Sequence, residues 1–309
     1  MKKNSLIVPF LTVISFLGFI PNCDQKKISN HPDGKIVVTV SVPPQAYFVE
    51  RIGGKFVEVH VMVPKSESPV TYEPSMRQLA KLSQSRIYLK VGSPNFPFEI
   101  QHLPSILSSN QRLRIINMSQ GIQLILFDPD HADKSSGKEH HHDNHLHNGL
   151  DPHVWVSPAN VKICSKNIYK VLAELDPKHK DYYQVNLKAF LADILQLDKT
   201  IRQSLSSLKS KTFIVYHPAW GYFAKEYGLK QVSIELEGKE PSIHDLKRII
   251  EMAKRNQTKV IFVQRGFSKE SALKIADELD AKVLEINPLE KDWLDNLKKV
   301  SQAFKQALN

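Results

Sequence analysis

The chain has 309 residues, of which 41% are hydrophobic and 24% charged, and its formal net charge is +10. This length suits two domains of ordinary size, each able to bury its own core. The basic charge does not indicate a nucleic-acid-binding protein. The lysines are spread along helical patterns among Asp and Glu, and they form no basic block interleaved with aromatic residues.

The N-terminus resembles a bacterial lipoprotein signal. Two lysines precede an apolar run over residues 6–20, which is too short to span a membrane, and Cys23 follows at the cleavage position. We predict that residues 1–22 are removed and that a lipid on Cys23 anchors the exported protein in a membrane, with residues 23–34 as a tether. If Cys23 is lipidated, Cys164 has no partner for an intramolecular disulfide. The alternative is an ordinary signal followed by a free cysteine.

Strand and helix patterns alternate along the rest of the chain. The first half contains predicted strands at residues 35–42, 56–63, 86–91 and 113–118, and predicted helices at 46–52, 75–83 and 98–107. The second half contains predicted strands at 212–216, 231–236, 259–263 and 282–286, and predicted helices at 222–227, 243–254, 269–279 and 293–308. Strands that alternate with helices form parallel sheets. The sequence therefore predicts two α/β lobes, at residues 35–176 and 210–309.

A histidine-rich tract at residues 131–147 interrupts the first lobe. Imidazole is the commonest protein ligand for metals such as zinc, and this polar tract has too few apolar residues to join a core. We predict a mobile loop that collects metal, and the alternative is a solvated polar loop. The auxiliary ligands predicted in it are His131, His140, His141, His142, His145 and His147.

One long helix is predicted between the lobes, at residues 177–209. Asp176 is its expected N-cap and Pro177 occupies the first helical position. Apolar residues follow at spacings of three and four, without an intervening Gly or Pro. A helix of about 30 residues is about 45 Å long, enough to span both lobes. Because a single helix is stiffer than a hinge of two or three strands, we expect the lobes to close only slightly.

Several motifs, distributed over most of the chain, resemble the zinc/manganese solute-binding proteins of ABC importers, the ZnuA/TroA-like lipoproteins. They are Ser41-Val42-Pro43-Pro44-Gln45-Ala46-Tyr47-Phe48, Tyr72-Glu73-Pro74, Asp151-Pro152-His153-Val154-Trp155, His217-Pro218-Ala219-Trp220 and Asn287-Pro288-Leu289. The resemblance implies the TroA-like fold, two α/β lobes on a rigid helix. A His-rich loop before Asp-Pro-His is similar to the zinc branch, which implies Zn²⁺ as the transported ligand. It also implies an ABC permease and its ATPase as partners.

Two histidines are predicted as the core metal ligands. His153 follows the His-rich tract in a turn set by Pro152, and His217 lies at the carboxyl end of the strand predicted at 212–216. Ligands of open α/β sheets bind beyond the carboxyl ends of the strands, so a cleft between the lobes would bring the two imidazoles together. For either residue, the alternative is a hydrogen-bonded structural histidine.

The chain departs from two further ligands that the resemblance implies. Val70 stands in place of the first-lobe His, and Asn287 stands in place of the final Asp, which leaves a weak amide ligand. Two imidazoles and one amide make a poor zinc site. The shell could be completed by Glu67 or Glu73, by water, or by a loop histidine, and we favour the loop. The alternative is a degenerate cleft.

Together with these patterns, the resemblance implies an exported solute-binding lipoprotein that captures zinc in the cleft for an importer, and we expect it to be a monomer. The alternative is a divergent member that buffers zinc through its His-rich loop or acts as a surface adhesion or interaction lipoprotein. The chain has no His-Glu-x-x-His motif, no Gly-x-Ser-x-Gly elbow and no Gly-rich phosphate loop. We therefore predict that it is not an enzyme.

Overall fold

The structure is a computed structural model that describes residues 34–110, 112–127, 149–235, 242–265 and 270–309. The predicted signal at residues 1–22, the lipidation site Cys23 and the His-rich loop at 131–147 lie outside these ranges. None of the helices within the described ranges has an apolar stretch long enough to cross a membrane.

The first lobe is built on a parallel sheet of four strands in the order β2-β1-β3-β4. The strands are β1 (Ile36–Val40), β2 (Val57–Val61), β3 (Ile87–Lys90) and β4 (Arg114–Asn117). Its helices are α1 (Pro43–Gly53), α2 (Met76–Ser83) and α3 (Pro97–Ser109). Strand β1, one of the two inner strands of this sheet, is a continuous buried run, as expected for a parallel strand covered on both faces.

The second lobe repeats this arrangement with the strand order β6-β5-β7-β8, again all parallel. The strands are β5 (Thr212–Val215), β6 (Lys230–Ser233), β7 (Val260–Val263) and β8 (Lys282–Glu285). Its helices are α6 (Gly221–Tyr227), α7 (Ile243–Arg255), α8 (Glu270–Glu278) and α9 (Trp293–Leu308). The two lobes with parallel sheets that the sequence predicts are confirmed.

Along the chain, two helices come between the two sheets. They are α4 (Pro158–Leu175) and the linking helix α5 (Lys180–Ser204), which has 25 residues. The linking helix is shorter than the predicted span 177–209, because residues Pro177–His179 form a 3₁₀ turn and the helix already ends at Ser204, with Leu205 as its C-cap. The Asp176 side chain does not cap this turn, since its Oδ2 accepts from the Tyr183 hydroxyl at 2.7 Å. At 1.5 Å per residue, α5 is about 37 Å long, and it packs against α1 and α4 as well as α9.

Two tryptophans link the segment after His153 to the second lobe. The indole of Trp155 donates to the Pro288 carbonyl at 2.8 Å, and the indole of Trp293 donates to the Trp155 carbonyl at 2.6 Å. Both rings are buried. The segment just before α4 is therefore held by Pro288, which follows β8, and by Trp293, the first residue of α9, both on the other side of the junction between the lobes.

Candidate metal centre

His153 is held by the carboxylate that lies two residues before it. The Oδ1 atom of Asp151 accepts from the His153 backbone amide at 2.8 Å and lies 2.7 Å from its Nδ1. Asp151 is itself anchored, since its backbone amide donates to the Ile125 carbonyl and its carbonyl accepts from the Tyr222 hydroxyl. His153 is 7% exposed. Its ring orientation is thus fixed before any ligand arrives.

His217 follows β5 at the carboxyl edge of the second sheet, and it also has a carboxylate behind it. Both Glu235 oxygens lie 3.1 Å from His217 Nδ1. Glu235 reaches this position because it follows β6, the neighbour of β5, and its amide donates to the Tyr216 carbonyl at 2.9 Å. Burial lowers the pKa of His217, with a further decrease from His153 and an opposing effect of Glu235. The neutral imidazole, which can bind a metal, is therefore favoured.

The two imidazoles face each other through their Nε2 atoms, which lie 3.4 Å apart. An ionised carboxylate only accepts hydrogen bonds, so a neutral ring beside it carries its proton on Nδ1 and presents a lone pair on Nε2. No proton is then available for a hydrogen bond between the Nε2 atoms. Two nitrogens bound at 2.0–2.1 Å to a tetrahedral zinc ion would lie about 3.3–3.4 Å apart. The spacing and the lone pairs suit a cation between the rings.

The other predicted ligands lie elsewhere or are otherwise engaged. Glu67 is exposed, and Glu73 contacts α3, with Gln101 Nε2 at 2.7 Å and His102 Nε2 at 3.7 Å from its oxygens. Asn287 is half-buried and uses both ends of its amide within the protein. In the described ranges, no three His, Cys, Asp or Glu side chains form a group that could hold a metal ion. Metal binding by Glu67, Glu73 and Asn287 stays a prediction.

Sequence reasoning missed both supporting carboxylates, Asp151 and Glu235. Asp151 has a signal in the sequence, because an Asp two residues before a candidate ligand can bond its ring and its amide. Glu235 has a weaker one, because it lies near the end of the strand that follows His217. The carboxyl ends of neighbouring parallel strands meet at one edge, which brings these two residues together.

The sequence matches the family described as "Zinc-uptake complex component A periplasmic" over residues 38–307. It is 31% identical to the high-affinity zinc uptake system protein ZnuA of Bacillus subtilis (strain 168), over 94% of this chain and 89% of that protein. A crystal structure of ZnuA is similar with a TM-score of 0.79 at 40% identity, and it covers 89% of this chain and 100% of its own.

A laminin-binding protein of Streptococcus agalactiae, described as bifunctional with adhesin and metal-transporting activity, has a TM-score of 0.73 at 26% identity. It covers 89% of this chain and 100% of its own. The similarities confirm the resemblance and the TroA-like fold inferred from the sequence motifs. The chain therefore belongs to the ZnuA zinc-uptake family of solute-binding proteins.

Proposed function

We propose that this protein is the extracytoplasmic zinc-binding component of an ABC importer. It would capture Zn²⁺ between His153 and His217 and deliver it to a membrane permease and its ATPase. The observation that carries the proposal is the 3.4 Å separation of two Nε2 atoms whose rings are oriented by buried carboxylates. Membership of a zinc-uptake family supports the same role and favours a transport protein over an enzyme.

The donor set favours zinc over manganese. Imidazole suits zinc, whereas manganese prefers carboxylate, carbonyl and water oxygens. The donors that face each other in this centre are nitrogens, and Asn287 offers a neutral oxygen at most. Zinc in proteins is usually bound by four ligands, so two coordination positions remain to be filled.

We further propose that a histidine of the 131–147 loop, such as His145 or His147, becomes the third imidazole. The loop joins the chain just before His153, so a short segment separates its donors from the cleft. Water, Glu67 or Glu73 are the alternatives for the remaining positions. His131, His140, His141 and His142 would act as auxiliary ligands that collect zinc.

We also propose that the lobes move little on binding, and that the protein acts as a monomer anchored through a lipid on Cys23. Limited movement is supported by the contacts of α5 with helices of both lobes and by the Trp155 and Trp293 hydrogen bonds. The membrane anchor rests on the sequence of the N-terminal signal.

The test is calorimetric titration of Zn²⁺ into the purified chain from residue 24 onward. His153→Ala combined with His217→Ala should weaken the tight binding component at least about tenfold, which corresponds to 1.4 kcal/mol. The matched control is His179→Ala, which removes a ring that also pairs with a carboxylate, that of Asp176 at 2.6 Å. Unchanged tight binding in the double variant would refute capture between the two histidines.

The same titration on a chain that lacks residues 134–147 separates the role of the loop from that of the cleft. If the loop provides a ligand, the tight component weakens while the two cleft histidines stay essential. If the loop only stores zinc, the weaker sites disappear and the tight component stays. If the tight component itself resides in the loop, the protein is a zinc buffer.

A second candidate function is adhesion at the cell surface. Its specific support is the similarity to the laminin-binding protein of Streptococcus agalactiae. Binding of the purified chain to immobilised laminin, compared with growth of a deletion strain in zinc-depleted medium, distinguishes the two. Loss of growth that zinc restores supports import, while laminin binding with normal growth supports adhesion.

A further inference from the structure

Two buried carboxylates stand behind the two imidazoles of the metal centre. Asp151 is 0% exposed and Glu235 is 3% exposed. Each lies against the Nδ1 atom of one histidine. Among the described residues, neither carboxylate forms an ion pair with Lys or Arg. The protein interior therefore holds two acidic groups next to two rings whose neutral form is the one that binds metal.

This arrangement is unfavourable when no cation is present. An ionised carboxylate loses most of its hydration when it is buried, and a neutral imidazole offers it one hydrogen bond but no opposite charge. A divalent cation on the Nε2 side of both rings would balance the two negative charges. Two ionised carboxylates carry a combined charge that is equal in magnitude and opposite in sign to that of a divalent ion.

We propose, on the basis of the zinc-binding function above, that Asp151 and Glu235 are positioning residues that provide the charge balance for the bound ion. Asn287 can offer only a neutral oxygen, and no third acidic or imidazole ligand in the described ranges joins the two histidines. The negative charge therefore acts through the rings. A hydrogen bond from Nδ1 to a carboxylate fixes the tautomer and makes the metal-binding nitrogen more basic.

The positions of the two carboxylates also determine which ions are bound more tightly. An ion that binds imidazole gains from the more basic Nε2 atoms. An ion that requires carboxylate oxygen, such as Ca²⁺ or Mg²⁺, gains little, because the oxygens face the opposite side of the rings. Asp151 and Glu235 thus favour zinc without touching it.

Substitutions at Glu235 separate charge from position. Glu235→Gln keeps an oxygen that can accept from His217 Nδ1 but removes the charge, whereas Glu235→Ala removes both. We expect zinc affinity to fall about tenfold in Glu235→Gln and about 100-fold in Glu235→Ala, the range typical of such supporting groups. Asp151→Asn should resemble Glu235→Gln. The matched control is Asp176→Asn, which alters the carboxylate–imidazole pair with His179 and should leave zinc affinity unchanged.

Thermal unfolding distinguishes this role from a merely structural one. If the charge of Glu235 is compensated only when the ion is bound, Glu235→Gln raises the unfolding temperature of the metal-free protein. The same variant then shows a smaller increase in unfolding temperature when zinc is added. An increase caused by zinc that equals the wild-type value would overturn the proposal.

The visible spectrum of bound Co²⁺ provides the geometric readout. Glu235→Gln should keep the bands of the wild-type protein, because the ring is still held, and Glu235→Ala should shift them. The proposal would be overturned if the Asp151 and Glu235 variants all had the spectrum and the affinity of the wild-type protein, and His153→Ala and His217→Ala still weakened the tight binding component. Unchanged tight zinc binding in the two histidine variants would instead refute the cleft function itself.

Discussion

The Asn287 side chain donates from Nδ2 to the Lys65 backbone carbonyl at 3.2 Å, which joins the second lobe directly to the first. Its Oδ1 accepts from the Leu289 amide at 2.9 Å, so the hydrogen-bond network fixes which end of the amide is which. Beside it, Lys65 Nζ lies 3.1 Å from a Glu290 carboxylate oxygen. An aspartate at position 287 could not donate to the carbonyl.

Asn287→Asp alone should therefore destabilise the metal-free protein. It removes one hydrogen bond between the lobes and brings a carboxylate towards a carbonyl oxygen. We expect the free energy of unfolding in urea to fall by about 0.5–1.5 kcal/mol, the usual contribution of one hydrogen bond. Equal stability of the variant and the wild-type protein would mean that the contact with Lys65 contributes nothing to holding the lobes together.

Val70→His combined with Asn287→Asp should tighten zinc binding. The two substitutions add a third imidazole and an anionic oxygen, which together would complete a tetrahedral shell around zinc. We expect the gain to be partial, because the aspartate also gives up the contact with Lys65. Calorimetry on the chain from residue 24 onward is the measurement. An unchanged affinity would indicate that other ligands already fill the shell, and His145, His147, Glu67 and Glu73 are the ones to examine.

Gly221→Ala should weaken zinc binding through Asp151. A Cβ atom at position 221 would lie 2.5 Å from Asp151 Oδ2, so the carboxylate that orients His153 must move. We expect a loss of zinc affinity of up to about tenfold, as for other supporting groups. The check is a double-mutant cycle. In an Asp151→Ala background the same glycine substitution should have no further effect, and a full additional loss would mean that it acts by another route.

Competition between Zn²⁺ and Mn²⁺ should favour zinc by more than about tenfold, or 1.4 kcal/mol. The two facing donors are imidazole nitrogens, and the acidic oxygens of Asp151 and Glu235 lie on the Nδ1 side of the rings. The measurement is displacement of one ion by the other in the same protein sample. Comparable affinities would contradict the assignment of the cleft to the zinc branch.

Glu99 should make the stability of the protein depend on pH. Burial raises the pKa of Glu99 to about 7, against the opposing effects of hydrogen bonds from Ser41, Val91 and Gly92. The folded state thus holds a proton that the unfolded chain releases near pH 4.5. This contribution to the free energy of unfolding is complete below that pH. It is lost as the pH rises to about 7, by at most about 1.4 kcal/mol for each pH unit.

The matched variant is Glu99→Gln, which cannot ionise. Urea unfolding of the metal-free protein at several pH values should show a smaller decrease in stability between pH 4.5 and 7 for the variant than for the wild-type chain. Parallel curves for the two proteins would show that Glu99 is ionised in both states or in neither.

The fold could be predicted from the sequence because its signals are local. Each sheet follows from apolar runs that alternate with helical patterns, and the structure confirms the two lobes. The linking helix starts later than the sequence predicts, and the Asp176 side chain forms hydrogen bonds with Tyr183 and His179 instead of capping the first turn. A tertiary contact of this kind leaves no trace in the periodicity of the helix.

The candidate site could be predicted only in part, for the same reason. His153 and His217 can be predicted as metal ligands from the sequence because each is adjacent to a recognisable turn or strand end. Glu235 was assigned to the interior of a strand at 231–236, whereas β6 ends at Ser233 and leaves Glu235 at the carboxyl edge. Strand ends are difficult to locate from the sequence. Here a shift of two residues in the end of β6 decides whether the Glu235 carboxylate lies beside His217.

The paired tryptophan hydrogen bonds have a consequence for chimeric proteins. The turn that bears His153 is supported by the Pro288 carbonyl and by the indole of Trp293, which come from the far end of the chain. An exchange of the second lobe for that of a relative would preserve the orientation of His153 only if the incoming lobe offered an acceptor and an indole at equivalent places. The turn that bears His153 therefore depends on both lobes, although each has a complete sheet of its own.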